Sequence, residues 1–478
     1  MYDLAVIGGG SAGITFAKFG ARLGARIAVI EADKLGGDCT WTGCVPSKAL
    51  LHAAHVAQTI RSASRLGIQG ELAIDFAAVT AHVRSIQQAI YEHDDSPEVL
   101  RKLGATVIEG RGRFRSAEEL EVNGRVVRAR HYCVCTGSHP RIPDIPGLRE
   151  AGFITNETIF QLSTLPGRLL VLGGGPIGCE LGQAMSRLGS RVTIVHNGPH
   201  LLPKDDRALG EALARCFRDE GIAVHCGATA ERVEVRDGAS HVTLRFGDGS
   251  SATVVVDEIL VAAGRTPNLG DLGLDVAGVS YDTSKGIAVD EYLRTSNPRV
   301  YACGDVIGRY QFTHVAGQEA GLILRNALFP RQSKMGYATI PWATFTDPEV
   351  AHVGLNEDEA RAKYGSKLRV YEQPWQSNDR ARTESSTAGF TKILAAGPRE
   401  RIVGAHIIGQ GAGDLINTVV TAMAAGMSAG KLGGIMHVYP TRTLGVKQTA
   451  QQSFNRLLDG GLGRAALRAY FRLFGAKG

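Results

Sequence analysis

The sequence predicts an α/β protein with two similar βαβ units and a smaller α+β domain after them. The βαβ units are indicated by apolar strands that run into glycine-rich turns and amphipathic helices, first at Gly8 and again at Gly173. The α+β domain is indicated after Gly336, where strands such as "RIVGAHIIG" precede a long apolar helix. At 478 residues the chain exceeds one ordinary core and fits two to four domains.

Composition and charge exclude several classes of protein. The chain has 44% hydrophobic residues and 60 glycines, which is typical of a soluble, glycine-rich α/β protein. Its 53 basic and 47 acidic residues give a net charge of +6, which suits anionic cofactors and is too diffuse to indicate nucleic-acid binding. A strand-like run begins at Asp3, and no uninterrupted apolar run is long enough to cross a bilayer. We therefore expect a cytoplasmic protein without a targeting peptide.

The first βαβ unit predicts a dinucleotide site. In "YDLAVIGGGSAGITFAKFGARLGARIAVIEAD", three glycines form a GxGxxG turn, and Glu31 ends the second strand where a ribose-binding carboxylate is expected. The glycines let the backbone approach a pyrophosphate, whose charge is met by the helix N-terminus. The predicted cofactor-binding residues of this unit are Gly8, Gly10, Ser11, Ala12, Gly13 and Glu31.

The same pattern recurs in "GRLLVLGGGPIGCELGQAMSRLGSRVTIVHN" and predicts a second dinucleotide site. The chain is therefore expected to contain two Rossmann-like domains. Two such sites on one chain indicate electron transfer between two cofactors. The predicted binding residues of the second site are Gly173, Gly175, Ile177, Gly178 and His196.

The end of the second strand of that unit bears on which nicotinamide cofactor binds. His196 stands where an NADH site would present Asp or Glu, so no carboxylate there repels a 2′-phosphate. His200 and Lys204 follow closely, which gives a slight preference for NADPH over NADH. The alternative, that these side chains face solvent and either cofactor binds, stays open.

The stretch "KLGGDCTWTGCVPSKAL" places Cys39 and Cys44 five residues apart. A zinc site would need further Cys or His ligands at suitable spacing, and none lies nearby, so no resident metal is expected. A structural disulfide is disfavoured in a reducing compartment, although five residues of separation can close into a small disulfide ring. Pro46 suits the first turn of a helix, so Cys44 should lie just before a helix N-terminus that favours its thiolate.

The other cysteines occur singly or alternate within apolar strand-like runs, and we expect them to be buried free thiols. Only Cys39 and Cys44 lie in a stretch whose flanking residues indicate chemistry. The remaining six are Cys133, Cys135, Cys179, Cys216, Cys226 and Cys303.

These motifs together resemble those of the flavin-dependent pyridine nucleotide-disulfide oxidoreductases, the family of dihydrolipoamide dehydrogenase, glutathione reductase and mercuric reductase. The resemblance covers essentially the whole chain and includes the two glycine turns and "GGDCTWTGCVPSK". Further matching motifs, in the order of the family, are "TGSHP" (Thr136–Pro140), "AAGRTPN" (Ala262–Asn268), "YACGDV" (Tyr301–Val306) and "FTDPEVAHVG" (Phe345–Gly354).

The resemblance implies a homodimer whose active sites are shared between the subunits. Each subunit would have an FAD-binding domain in two parts, at residues 1–145 and 265–335. An NAD(P)H-binding domain would span 146–264, and a dimerisation domain would span 336–478. The further FAD-binding residues that the resemblance implies are Gly37, Lys48, Thr136, Gly137, Ser138, Gly264, Arg265, Gly304 and Asp305.

The resemblance also assigns roles around the cysteine pair. Cys44 would be the inner thiol that faces the flavin, and Cys39 would be the outer thiol that meets the substrate. Lys48 and Glu180 would form an ion pair beside the flavin ring. Electrons would pass from NAD(P)H through FAD to the Cys39–Cys44 disulfide and on to an acceptor, or in reverse if the substrate is a dithiol.

The C-terminal motif "HVYPTRTLG" departs from the disulfide reductases, in which a His, oriented by a Glu five residues later, carries protons for the outer thiol. Here Tyr439 takes the His position and Leu444 the Glu position. Phenols ionise near pH ~10, which is too high for a proton shuttle at neutral pH. His437 could take over this role, although a packed or capping histidine is the favoured interpretation. Tyr at this position is similar to mercuric reductase, whose acceptor is a soft metal, but the tail lacks the cysteine pair of that enzyme.

We therefore expect an FAD-dependent NAD(P)H oxidoreductase, similar to mercuric reductase, that passes electrons to a disulfide, a soft metal ion or a quinone-type acceptor. The nearer alternative is a dihydrolipoamide dehydrogenase with an atypical base. The alternative from another class is a redox-sensing or membrane-docked interaction protein.

Two residues beside the cysteine pair are unusual choices. Asp38 adds a negative charge next to Cys39, and Trp41 is a bulky residue between the two cysteines. We expect Trp41 to pack beside FAD rather than to stack on an aromatic acceptor.

The tail "RAALRAYFRLFGAKG" predicts a basic amphipathic helix. One face carries Arg464, Arg468 and Arg472 at four-residue spacing, and another face carries aromatic and apolar side chains. Such a helix could contact an anionic membrane, but packing on its own subunit or dimer is the favoured interpretation. The apolar residues are Leu467, Tyr470, Phe471 and Phe474.

Overall fold

The computed structural model describes residues 1–459 and 461–475, and the chain forms two compact units. The N-terminal unit consists of Met1–Asn197 and His225–Gly336. The C-terminal unit consists of Gly198–Val224 together with the chain from Tyr337 onward. Residues 198–224, which the sequence assigns to the NAD(P)H-binding segment, thus group with the C-terminal unit. The division of the chain into four segments stays a prediction.

The strands of the described chain follow its apolar runs. They are β1 (Tyr2–Ile7), β2 (Ile27–Glu31), β3 (Thr106–Glu109), β4 (Gly112–Phe114), β5 (Leu120–Val122), β6 (Arg125–Val127), β7 (Ala129–Val134), β8 (Ser138–Pro140), β9 (Arg168–Leu172), β10 (Arg191–His196), β11 (Ala223–Cys226), β12 (Ala228–Arg236), β13 (Ala239–Phe246), β14 (Ser251–Val256), β15 (Glu258–Val261), β16 (Arg265–Pro267), β17 (Tyr281–Asp282), β18 (Gly286–Ile287), β19 (Val300–Ala302), β20 (Pro341–Thr344), β21 (Glu349–Gly354), β22 (Leu368–Pro374), β23 (Phe390–Ala396) and β24 (Arg401–Gly409).

The helices of the described chain include none that is long and apolar enough to span a bilayer. They are α1 (Ser11–Thr15), α2 (Gly37–Trp41), α3 (Cys44–Ser62), α4 (Phe76–Ile90), α5 (Pro97–Lys102), α6 (Leu148–Ala151), α7 (Pro176–Arg187), α8 (Arg207–Asp219), α9 (Thr313–Leu328), α10 (Glu357–Tyr364), α11 (Asp379–Thr383), α12 (Ala412–Ala424), α13 (Ala429–Gly433), α14 (Thr443–Asp459) and α15 (Gly461–Phe474).

Two parallel sheets organise the N-terminal unit. The first has the strand order β19-β7-β1-β2-β3, and the parallel core of the second has the order β10-β9-β15. The central strands β1 and β9 are largely buried, which is why both appear in the sequence as continuous apolar runs. Each central strand leads through a glycine turn into a helix, α1 or α7, and the chain returns as the neighbouring parallel strand, β2 or β10.

The C-terminal unit contains an antiparallel sheet with the strand order β20-β21-β24-β23-β22. Helices α12 and α14 pack on this sheet, and Trp375 fills the core between them with its indole nitrogen donating to the Ile408 carbonyl at 2.6 Å. The predicted α/β class, with two βαβ units and a C-terminal α+β domain, is therefore confirmed.

A buried polar network lies between α8, α10 and the sheet of the C-terminal unit. Lys392 Nζ is 3.0 Å from Asp206 Oδ1 and 2.8 Å from Glu357 Oε2. The neighbouring carboxyl of Asp205 accepts a hydrogen bond from the Trp342 indole at 2.9 Å and is almost fully buried. Burial, to which the Asp206 charge adds, raises the pKa of Asp205 to about 7.

This raised pKa predicts how the stability of the protein depends on pH. The folded chain retains the Asp205 proton up to pH about 7, whereas an unfolded chain loses it near the ordinary aspartate pKa of 3.8. The contribution of Asp205 to stability is therefore lost as the pH rises between these two values, by up to about 4 kcal/mol. The Asp205→Asn variant keeps an acceptor for Trp342 and should gain stability over the wild type at pH 8 but not at pH 4.

Thermal unfolding midpoints at the two pH values measure this effect. Asp219→Asn, an exposed acidic position at the end of α8, serves as the control for the loss of one negative charge. An equal shift in both variants, or no pH dependence for Asp205→Asn, would contradict the assignment.

Candidate active site around the cysteine pair

The two cysteines of the pair lie on consecutive short elements. Cys39 is in the middle of α2, and Cys44 is the first residue of α3. The sequence places Cys44 just before the helix, and the structure places it one residue further in, where the thiol still lies at the N-terminus. Both are free thiols in the structure.

The two thiols differ strongly in acidity. A hydrogen bond from Cys39 is the main cause that lowers the pKa of Cys44 to about 6, against the opposing effect of burial. The Thr313 hydroxyl, 3.3 Å from Cys44 Sγ, and the charge of Lys48 act in the same direction. The same bond raises the pKa of Cys39, because Cys39 must keep its proton to donate it. Cys44 therefore carries the thiolate at neutral pH.

Lys48 and Glu180 form the ion pair that the resemblance implies. Lys48 Nζ lies 2.8 Å from Glu180 Oε2, and the Glu180 side chain is buried. Lys48 lies one turn after Cys44 on α3, and Glu180 lies in the second turn of α7. The pair therefore connects the helix of the redox pair to the helix of the second glycine turn.

Asp38 is held in place by three partners. Its carboxylate accepts hydrogen bonds from the Thr42 hydroxyl at 2.5 Å and from the Asn156 amide at 3.3 Å. The Arg265 guanidinium lies 3.3 Å from the other carboxylate oxygen. The negative charge that the sequence places beside Cys39 is thus compensated by Arg265, a residue that the sequence assigns only to cofactor binding.

Arg265 also contacts the predicted cofactor residues. Its Nε donates to the Ser138 hydroxyl at 2.7 Å and lies 3.7 Å from Asp305 Oδ2. Ser138 in turn donates to Asp305 at 2.6 Å, and burial raises the pKa of the Asp305 carboxyl. The motifs at Thr136–Pro140 and Ala262–Asn268 meet because β8 and β16 pair in antiparallel register.

Trp41 packs against neighbouring groups of the protein, and its expected position beside FAD stays a prediction. Its indole nitrogen donates to the Leu35 carbonyl at 2.8 Å, and its ring lies 5.1 Å from that of Tyr91. The Lys34 ammonium lies over its other side, 4.7 Å from the ring centre. These contacts fix the ring within the loop of the pair.

The first glycine turn has the shape of a dinucleotide site. A Cβ at Gly8 would lie 2.3 Å from the Cys135 carbonyl oxygen, and one at Gly13 would lie 2.1 Å from the Gly8 carbonyl oxygen. At Gly10 the nearest atom to an added Cβ would be 3.9 Å away, so that residue faces open space. Glu31 accepts from the Gly9 amide at 2.6 Å, which holds its carboxylate beside the turn.

The second glycine turn repeats this geometry. A Cβ at Gly173 or Gly178 would lie within 2.1 Å of a backbone oxygen, whereas nothing lies within 4 Å of one at Gly175. In both turns the outer glycines permit close backbone packing, and the middle glycine leaves room for a diphosphate at a helix N-terminus. The residues present therefore fit FAD at the first site and a nicotinamide dinucleotide at the second.

The residues that bear on NADPH preference differ in exposure. His196 ends β10 and is buried. His200 directs Nδ1 at the Leu201 carbonyl at 2.8 Å, and Lys204 is exposed. His196 is in the N-terminal unit, whereas His200 and Lys204 are in the C-terminal unit.

Tyr439 lies in an exposed segment of the C-terminal unit. Its hydroxyl donates to Asp379 Oδ2 at 3.2 Å, and the residue is 66% exposed. Leu444 lies on α14 and supplies no carboxylate, so Asp379, the first residue of α11, is the acid next to the phenol. His437 directs Nδ1 at the Ile435 carbonyl at 3.1 Å, and its role stays a prediction.

Sequence reasoning missed several residues of the site. Asn156, Thr313 and Asp379 contact Asp38, Cys44 and Tyr439, but none of them lies in a motif. The closest signal was for Thr313, which starts a helix soon after the "YACGDV" motif.

The cysteines outside the pair are thiols rather than disulfides, and the expectation of burial holds for four of the six. Cys133, Cys135, Cys179 and Cys303 are buried, and the sulfurs of Cys133 and Cys303 lie 3.8 Å apart. The expectation was wrong for Cys216 and Cys226, which are half-buried. Cys216 lies towards the solvent-exposed C-terminal end of α8, and Cys226 ends β11.

Family models and curated relatives match most of the chain. The model described as pyridine nucleotide-disulphide oxidoreductase matches residues 2–320, and that of its dimerisation domain matches residues 340–450. Mercuric reductase of Bacillus cereus is 33% identical, covering 93% of this chain and 70% of the relative. Dihydrolipoyl dehydrogenase of Thermus scotoductus is 34% identical, covering 94% and 97% respectively.

Solved structures agree with these matches. The HOCl-induced flavoprotein disulfide reductase RclA from Escherichia coli aligns with a TM-score of 0.84 and 27% identity, covering 94% of this chain and 99% of that one. A Cu(II) complex of the same protein aligns with the same TM-score and 26% identity. This chain therefore belongs to the pyridine nucleotide-disulphide oxidoreductase family and is an FAD-dependent enzyme with a dimerisation domain.

Proposed function

We propose that this enzyme passes electrons from NADPH through FAD and the Cys39–Cys44 pair to a soft metal ion. The observation that carries the proposal is a thiol pair with an acidic Cys44, in a chain where Tyr439 replaces the usual imidazole. Thiolates are the preferred ligands of soft ions such as Hg(II) and Cu(I). Relatives of this chain include mercuric reductases and a reductase solved as a Cu(II) complex.

The chain would hold its cofactors through the residues of the two glycine turns. FAD would lie along Gly10 and Glu31 towards Asp305, and when bound it supplies the relay of two electrons between nicotinamide and disulfide. The Lys48–Glu180 ion pair, whose two charges compensate each other, would lie beside the flavin. Of the two nicotinamide cofactors we favour NADPH, because β10 ends in His196 rather than in a carboxylate.

The two thiols would divide the work between them. Cys44, as the thiolate, would stay beside the flavin. Cys39, which keeps its proton until the acceptor arrives, would bind that acceptor. A Hg(II) ion held by both sulfurs would displace the Cys39 proton and take two electrons, giving Hg(0) and one oxidised NADPH per ion. A disulfide substrate instead requires a proton for its leaving thiolate, which a phenol supplies poorly at neutral pH.

In a homodimer, Tyr439 of one subunit would lie beside the cysteine pair of the other subunit. The chain has a dimerisation domain, and the segment that holds Tyr439 exposes Met436 by 92% and Val438 by 75%. Such an exposed apolar segment is typical of a surface that a partner covers. Asp379 would fix the orientation of the phenol as a positioning residue.

An acceptor panel under anaerobic conditions tests the proposed function. Each of NADH and NADPH is titrated into the holoenzyme, which is then mixed with Hg(II), lipoamide or glutathione disulfide. We expect rapid turnover with Hg(II), slow turnover with both disulfides, and lower KM for NADPH than for NADH. Efficient lipoamide turnover by the wild type would instead favour a dihydrolipoamide dehydrogenase with an atypical base.

Restoring the imidazole should change the acceptor preference. The double variant Tyr439→His with Leu444→Glu should reduce lipoamide at least about tenfold faster than the wild type, because it regains a proton shuttle. Tyr439→Phe, which keeps the ring without the hydroxyl, should show no such gain. If the double variant also gains nothing, the lack of a proton shuttle does not limit disulfide reduction.

The acidity of Cys44 predicts a pH dependence. The long-wavelength absorbance of the two-electron-reduced enzyme reports a thiolate beside flavin, and it should fade as the pH falls through about 6. Thr313→Val removes a hydrogen bond to the thiolate, so its midpoint should rise by about one pH unit. Thr59→Val, on the exposed side of α3, should leave the midpoint unchanged. If the band is absent at every pH, the assignment of Cys39 and Cys44 as a redox pair is wrong.

The role of Asp379 is testable through Tyr439. Asp379→Ala should lower kcat/KM for Hg(II) about fivefold, the value of one hydrogen bond, while NADPH still reduces the flavin at the wild-type rate. Asp414→Ala, in the exposed first turn of α12, is the matched control. In a Tyr439→Phe background, Asp379→Ala should have no further effect, and an undiminished effect there would show that Asp379 acts elsewhere.

A further inference from the structure

We propose that α15 is a docking helix that binds the surface of an anionic lipid bilayer. The side chains from Arg464 to Phe474 are exposed in the structure, including Phe471 at 64% and Phe474 at 72%. The favoured interpretation of the sequence was packing on its own subunit or on the dimer. The described side chains do not pack on their own subunit, and packing on the dimer stays a prediction. The inference concerns the location of the enzyme and does not depend on which acceptor it reduces.

The helix has two distinct faces. At about 100° per residue, its three arginines fall within about 80° of each other on one side. Tyr470, Leu473 and Phe474 lie on the side away from the arginines, whereas Phe471 borders the arginine stripe about 20° from Arg464. Tyr470 contacts both Phe471 and Phe474, with ring centres 5.5 Å and 5.2 Å apart. An arginine stripe beside a face of Phe, Tyr and Leu is the composition of helices that lie in a membrane interface.

The positive charge of α15 favours anionic lipid, rather than a second copy of the helix, as its binding partner. Gly461–Phe474 contains Arg464, Arg468 and Arg472 and no acidic residue. Two such helices packed against each other would bring like charges together, whereas the phosphates of anionic lipids complement them. Guanidinium groups on their long stems can bind phosphates while the apolar face enters the acyl boundary.

The position of the helix in the chain supports the same conclusion. The dimerisation-domain model of the family matches residues 340–450, and α15 begins at Gly461. The helix thus lies outside the part of the chain that matches the dimerisation domain. It extends from α14, which packs on the sheet of the C-terminal unit, so a bilayer contact leaves that sheet intact.

The test is sedimentation of the full-length holoenzyme with lipid vesicles. Vesicles of phosphatidylcholine alone are compared with vesicles that contain one third phosphatidylglycerol, at low and at high salt. We expect binding to the anionic vesicles, release at high salt because the ions screen the arginines, and little binding to the neutral vesicles. Equal binding to both vesicle types, or to neither, would overturn the proposal.

Two sets of variants localise the contact. The triple variant Arg464→Gln, Arg468→Gln and Arg472→Gln should bind anionic vesicles about 100-fold more weakly. Its matched control changes three exposed arginines near the small sheet of β4 to β6 by the same charge and should bind as the wild type does. The control substitutions are Arg111→Gln, Arg113→Gln and Arg125→Gln.

Substitution of the apolar face separates lipid from protein partners. Phe471→Ser with Phe474→Ser should also lose vesicle binding while the protein remains dimeric in gel filtration and its flavin is still reduced by NADPH. A shift to monomers in this variant would show that a second copy covers the helix, and it would overturn the proposal. Because flavin reduction is measured in the same samples, failure of the proposed function and failure of docking give different results.

Discussion

Close contact between backbone segments at the two glycine turns is the constraint on which the rest of the N-terminal unit depends. Each helix that follows a turn approaches its strand so closely that a single added carbon at Gly13 or Gly178 would lie about 2 Å from a carbonyl oxygen. This approach directs the N-termini of α1 and α7 at the carboxyl ends of their sheets, where a diphosphate can be held. It also orients α7 so that Glu180 reaches Lys48 on the helix of the redox pair.

The sequence predicts those parts of the molecule that depend on local patterns. The βαβ units, their glycine turns and the helix that begins at Cys44 each follow from residues close together in the chain, and the structure has all of them. The Lys48–Glu180 contact was found only through the family resemblance, because 132 positions separate the two residues. Thr313 lies 269 positions from Cys44, and no periodicity or spacing in a single sequence indicates such a contact.

The same reasoning explains the errors about exposure. Cys216 lies on an amphipathic helix whose buried face depends on how the chain packs, and the sequence pattern around it resembled a buried run. For the tail, the pattern of α15 correctly predicted an amphipathic helix, but whether its apolar face is covered is a property of the folded chain. The sequence pattern of a helix shows which of its faces is apolar, but the packing of the whole chain determines whether that face is exposed to solvent.

Arg265 is a cation shared between two carboxylates of different purpose. One, Asp38, belongs to the loop of the redox pair, and the other, Asp305, belongs to the predicted cofactor site. A ligand that draws the guanidinium towards one carboxylate weakens its hold on the other, and thermodynamic linkage makes this influence mutual. We therefore expect ligand binding at the predicted cofactor site and the conformational freedom of the loop that carries Cys39 to influence each other through Arg265.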